Sequence, residues 1–170
     1  MSILLSGDFH ANADNELFCI NKDTLINKYG QDQYDTIKYH IILGGALSID
    51  KEFREPNKTW WEQEYWSETE KNDIFHLLKK NSKFDYVLSH TGPSRINETI
   101  KPLQRLGLIP MFFDEVAALN EKIDCKINCK QWFCGHWHID KYYYDPNLKR
   151  GYQYLYRTTA LLRGEEIIVI

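Results

Sequence analysis

Cysteine is scarce and poorly spaced for any scaffold role. The 170 residues contain four, Cys19, Cys125, Cys129 and Cys134, and no Cys-x-x-Cys pair. That spacing excludes a zinc knuckle and a disulfide framework, and free thiols are expected. Long apolar runs are also missing, and no stretch approaches the roughly 20 residues that span a bilayer. Positive charge is not in excess: 21 Lys and Arg against 24 Asp and Glu leave a net charge of −3. No global basic field therefore points to nucleic acid. Internal repeats and low-complexity tracts are absent, which excludes a solenoid or an array. The start of the chain has no basic leader region and no cleavage pattern before its first strand-like run, so a cytoplasmic protein with no membrane segment is expected.

The remainder has the composition of an ordinary globular protein, 43% hydrophobic and 26% charged. The length suits a single domain over residues 1–170 with a real core. Apolar runs at 3–6, 39–43, 86–88, 131–134 and 166–170 read as strands. Residues 142–156 read as a hairpin with a turn at Asp145-Pro146-Asn147. Helical spacing appears over 16–29, with an uneven apolar face, and over 113–123, where Val116, Leu119 and Ile123 share a face. Ser67 and Glu70 form a capping-box pattern ahead of Ile74, Leu77 and Leu78, so a helix over Glu68–Lys80 is expected. Strands alternate with helices early and dominate late, which favours an α/β layered fold with mixed β-sheets.

The chemistry concentrates at strand ends. Four of six histidines sit just past an apolar run: His10 in Gly7-Asp8-Phe9-His10, His90 in Ser89-His90-Thr91-Gly92-Pro93, and His136 and His138 in Gly135-His136-Trp137-His138. In open α/β sheets the carboxyl ends of the strands converge on the site. Asp8, His10, His90, His136 and His138 can therefore meet in one crevice as metal ligands. Imidazole and carboxylate together suit Mn, Fe, Zn or Ni better than Ca. His40 and His76, inside an apolar run and a helix, read as packed or surface histidines. The Trp60, Trp61 and Trp66 cluster reads first as core or lid packing and second as a cleft lining. Tyr142-Tyr143-Tyr144 reads as strand packing before a nucleic-acid platform. Lys149-Arg150 and Arg157 read as solvated cations before phosphate contacts.

In order and strand context, Gly7-Asp8-Phe9-His10, Ser89-His90-Thr91-Gly92-Pro93 and Gly135-His136-Trp137-His138 resemble three motifs of the calcineurin-like metallophosphoesterases. Gly44-Gly45-Ala46-Leu47-Ser48-Ile49-Asp50, followed by Trp60-Trp61-Glu62, resembles a bacterial and phage branch of that family. The resemblance spans nearly the whole chain. It implies a β-sandwich flanked by helices, one or two divalent metal ions, and hydrolysis of phosphate mono- or diesters through a metal-activated hydroxide. The implied partner is a phosphorylated small molecule or nucleotide-like substrate. Asp8, His10 and His138 would hold one ion, and His90 and His136 the other.

Two family motifs do not occur. A Gly-Asp after a strand, whose aspartate bridges the ions, is replaced after Ile41-Ile42-Leu43 by Gly44-Gly45, and no Asn-His dipeptide exists in the chain. The simplest account is an internal deletion that fuses two strands at a shared Leu-Gly. Three ligands with open positions still make a plausible mononuclear catalytic site. Asp14 or Asp50 would be substitutes for the bridge. The alternative expectation is a catalytically impaired remnant that binds metal or a partner without turnover.

Overall fold

The computed structural model describes residues 2–6, 40–46, 53–100, 114–163 and 166–169. Helix α1 (Glu68–Lys80) starts where the capping box places it: the Glu70 amide donates to Ser67 Oγ at 3.3 Å and the Ser67 amide to Glu70 Oε2 at 2.7 Å. Ile74 and Leu78 bury its inner face. A one-turn helix α2 (Ser94–Asn97) follows the Ser-His-Thr-Gly-Pro turn. Helix α3 (Glu115–Asp124) is capped by Asp114, whose carboxylate accepts from the amides of Val116 and Ala117. Val116, Leu119 and Ile123 are all buried, the face expected from their spacing.

The strands form two sheets: β1 (Ser2–Ser6), β2 (His40–Leu43), β3 (Lys83–Ser89), β4 (Asn128–Cys134), β5 (Lys141–Asp145), β6 (Arg150–Tyr154), β7 (Thr159–Arg163) and β8 (Glu166–Val169). The five-stranded sheet has the order β2-β3-β4-β6-β5, and its first four strands are parallel. The fifth, β5, returns antiparallel to β6 as a hairpin. The three-stranded sheet is antiparallel, in the order β1-β7-β8. The fold is thus α/β, with a mixed five-stranded sheet, a small antiparallel sheet and helices. Among the described residues no helix is long and apolar enough to cross a membrane.

Strand alternation sorts the core into two layers. Ile41, Leu43, Val87, Trp132, Cys134, Tyr152 and Tyr154 pack with α1 and α3 residues in one cluster. Tyr86 and Phe133 point the other way and pack with Leu155 and Ala160 in a second cluster that joins the two sheets. The helices therefore cover one face of the larger sheet, while the smaller sheet covers part of the other.

Several expectations need adjustment. Arg150, read as a solvated cation, is 2% exposed and lies between the Asp124 carboxylate and the carbonyl oxygen of Ile127. A buried cation needs a fixed anion and further acceptors, and its position at the start of a tyrosine-rich strand does not reveal that anion. Strand β7 and helix α2 had no separate expectation. Strands β3 and β4 begin three residues earlier than their apolar runs, because exposed polar residues such as Lys83 and Asn128 continue the ladder. The segment at 16–29 lies outside the described residues, as does Cys19; Cys125, Cys129 and Cys134 are free. Burial pushes the Cys129 thiol up to about 12, so it packs as an apolar group.

Asp124 anchors this architecture. It is fully buried and holds both Arg95 of α2 and Arg150 of β6, while Tyr152 Oη donates to it at 2.8 Å. Arg95 also pairs with Glu121 at 3.0 Å and with Asp145. Burial first, and then the Asp124 charge, push the Tyr152 hydroxyl well up, so it stays a donor. Removing one partner of a buried pair costs about 3–5 kcal/mol, because the remaining charge is stranded. Asp124→Asn is therefore expected to lower stability by about that amount in urea unfolding, and a loss under about 1 kcal/mol would show that the network is not structural.

Candidate metal centre

The carboxyl ends of the parallel strands are tied together by backbone hydrogen bonds. The His90 amide donates to the Leu43 carbonyl at 3.2 Å, Gly135 to the His90 carbonyl at 2.9 Å, and Leu155 to the Cys134 carbonyl at 2.8 Å. The residues that follow β2, β3, β4 and β6 are therefore held in register along one sheet edge. His90 and His136 are the side chains this arrangement brings together.

The turn carrying His90 is held on every side. Trp132 Nε1 donates to Ser89 Oγ at 2.6 Å, and Ser89 Oγ donates to the Thr91 carbonyl at 2.7 Å. Asn120 Nδ2 donates to the same carbonyl at 2.8 Å. Asn97 Nδ2 donates to Thr91 Oγ1 at 3.2 Å and to the Gly92 carbonyl at 3.1 Å, while Tyr154 Oη donates to Asn97 Oδ1 at 2.7 Å. Ser89, His90 and Thr91 are buried. An isolated Pro turn at the surface does not need this many partners. Asn97, which matches a glycosylation acceptor in Asn97-Glu98-Thr99, is buried and spends its amide on this turn.

The histidines of Gly135-His136-Trp137-His138 adopt an uncommon backbone. His136 has φ 68° and His138 has φ 50°, both in the left-handed region. Non-glycine residues there are uncommon and cluster at functional sites. Trp137 between them is buried in the core and pins the turn, while His136 is half-buried and His138 is exposed. His136 Nδ1 lies 3.2 Å from His90 Nε2, with ring centroids 5.0 Å apart. His138 does not join this pair. It is exposed, and its ring stacks on Tyr156 at 4.8 Å and 19°.

A spacing of 3.2 Å between two ring nitrogens fits two occupants. One is a shared proton, as in an N–H···N hydrogen bond. The other is a shared ion: nitrogens about 2.1 Å from one metal, at roughly 90–110° to each other, lie about 3.0–3.4 Å apart. The donor chemistry and geometry of the pair therefore fit a borderline divalent ion. Among the described residues no group of three or more His, Cys, Asp or Glu side chains is gathered around one point. Asp8, His10, Asp14 and Asp50 lie outside the described residues. The strand leading to Asp8 is described: β1 ends at Ser6, which pairs with Thr159, the residue directly after the Tyr156-Arg157-Thr158 loop.

That loop is fixed by Asp140, which was not singled out from the sequence. Its carboxylate accepts from the amides of Tyr156 (2.8 Å), Arg157 (3.1 Å) and Thr158 (3.1 Å), and from Thr158 Oγ1 (2.5 Å). Burial opposes the charge, but the Thr158 hydroxyl and the three amides outweigh it and hold the carboxyl down to about 2. The only signal available in the sequence was position, two residues after His138. The tryptophan cluster divides: Trp66 is buried and donates to the Gly44 carbonyl at 2.8 Å, Trp60 packs edge-on against Tyr65, and Trp61 is 39% exposed. His76 is exposed on α1. Tyr143 packs on the core while Tyr142 and Tyr144 face solvent.

Comparison with known proteins returns no match: no family model, no curated protein and no solved structure corresponds to the chain.

Gly92 gives a direct test of the His90 turn. A Cβ there would lie 2.8 Å from Asn97 Oδ1, 2.9 Å from Tyr154 Oη and 3.2 Å from Cys134 Sγ, all held by neighbours. Gly92→Ala is expected to cost about 1–3 kcal/mol by overpacking and to shift the His90 imidazole resonances in NMR spectra. Unchanged stability with unchanged His90 signals would show that the turn is not tightly held.

Proposed function

We propose that the chain is a metal-dependent phosphoesterase of the calcineurin-like metallophosphoesterase type, hydrolysing phosphate mono- or diesters. The observation that carries this reading is the His90–His136 pair, with nitrogens 3.2 Å apart at the ends of adjacent parallel strands. Two imidazoles from segments 46 residues apart converge, one of them on a left-handed backbone. That geometry is what two imidazoles sharing one ion require. The layering of helices, mixed sheet and antiparallel sheet supports the expected sandwich flanked by helices.

On this reading His90 and His136 hold one divalent ion, of the Mn, Fe, Zn or Ni group. His138, with Asp8 and His10, holds another. The pairing of Ser6 with Thr159 supports that grouping, because it brings the exit of β1 beside the loop on which His138 stacks. Bound divalent ions supply charge neutralisation on phosphoryl oxygens and lower the pKa of a water nucleophile. The chain's own part is positional. The Ser89–Thr91 hydrogen bonds fix His90, the buried Trp137 fixes the turn that presents His136 and His138, and Tyr156 limits the rotation of His138.

A second reading follows from the missing Gly-Asp and Asn-His motifs. Without a bridging carboxylate, two close cations repel unscreened, and the chain acts as a metal-binding remnant without turnover.

One experiment separates the two. Purified protein loaded with Mn(II) or Ni(II) is assayed on p-nitrophenyl phosphate and its bis-ester, alongside metal analysis. The enzyme reading predicts metal-stimulated hydrolysis that His138→Ala reduces by about a hundredfold or more. Bound metal with no hydrolysis selects the remnant, and no bound metal rejects both.

A further inference from the structure

Arg157 and His138 both contact one aromatic ring, that of Tyr156. Its guanidinium carbon lies 5.5 Å from the Tyr156 ring centroid, and His138 stacks on the same tyrosine at 4.8 Å. Three other arginines are differently placed. Arg95 is spent on Asp124, Asp145 and Glu121, Arg150 on Asp124, and Arg54 reaches the Thr59 carbonyl. Arg157 is exposed, and among the described residues its side chain lies over the tyrosine ring and pairs with no carboxylate.

Among the described residues, the anion beside this loop leaves the guanidinium available. Asp140 lies beside this loop, yet its oxygens are filled by the three consecutive amides of Tyr156, Arg157 and Thr158 and by the Thr158 hydroxyl. Asp140 therefore fixes the backbone of Arg157 without pairing with its side chain. A guanidinium over an aromatic ring keeps its in-plane N–H donors for a second partner, and its planar fork matches two phosphoryl oxygens. Thr159, two residues on, pairs with Ser6, so the loop also borders the exit of the strand that leads to Asp8.

We infer that Arg157 binds the phosphoryl oxygens of the substrate beside His138, and that Asp140 and Tyr156 are the positioning residues that hold it there. This rests on the metal site proposed above and names the residue that receives the substrate's charge. The ligand class is a phosphate mono- or diester dianion or monoanion, represented by inorganic phosphate.

The test is calorimetric and needs no turnover. Mn(II) binding is measured for the wild type and for Arg157→Gln, and then inorganic phosphate binding to each Mn(II)-loaded protein. The inference predicts equal Mn(II) affinity, phosphate binding weaker by about tenfold or more in Arg157→Gln, and partial recovery in Arg157→Lys. Asp140→Ala is expected to weaken phosphate binding in the same direction, and because Arg157 is exposed, Arg157→Gln remains informative if Asp140→Ala does not fold. Wild type that binds Mn(II) but no phosphate, or Arg157→Gln that binds phosphate as well as wild type, overturns the role of Arg157 and leaves the metal site standing. Wild type that takes up no Mn(II) overturns the metal site, and this inference falls with it.

Discussion

The buried Asp124 carboxylate is the constraint on which the larger sheet and its helices depend. It ends α3, takes Arg95 from α2 and Arg150 from β6, and accepts from Tyr152, also of β6. Buried ion pairs rarely add net stability over apolar packing, but they penalise any arrangement that separates the partners. Their effect here is to fix α2 against α3 and β6. Because α2 begins directly after Pro93, that network also fixes the turn that carries His90.

A second set of interactions extends that order to the strand ends. The amides of His90, Gly135 and Leu155 each bond to the last carbonyl region of the neighbouring strand. The left-handed backbone at His136 and His138 then turns two imidazoles of one short motif toward different neighbours, His90 and Tyr156. Strained residues persist only where the surroundings over-determine them. The buried Trp137 and the Asp140 clamp supply that determination. The order in the fold is thus built from the core outward to a pair of nitrogens at metal-ligand spacing.

Much of this was legible in residue pattern. Ser67 and Glu70 announced the start of α1, the spacing of Val116, Leu119 and Ile123 gave the inner face of α3, and Asp145-Pro146-Asn147 marked the β5–β6 turn. Each is a local signal, carried by neighbours in the chain. What was not legible was long-range. Arg150 resembles a surface cation until Asp124, 26 residues away, is placed beside it. The roles of Asp140 and Asn97 depend on partners in other elements. Of the four strand-end histidines, His90, His136 and His138 are described, and their division into a close pair and a separate stacked ring depends on backbone angles that composition does not encode.

The central claim is that His90 and His136 share a divalent ion. It is tested most directly by anomalous diffraction at the zinc edge from crystals of the zinc-loaded protein. The account predicts a peak about 2.1 Å from both His90 Nε2 and His136 Nδ1. Density that places the two imidazoles in direct N–H···N contact, with zinc bound elsewhere or nowhere, would contradict it.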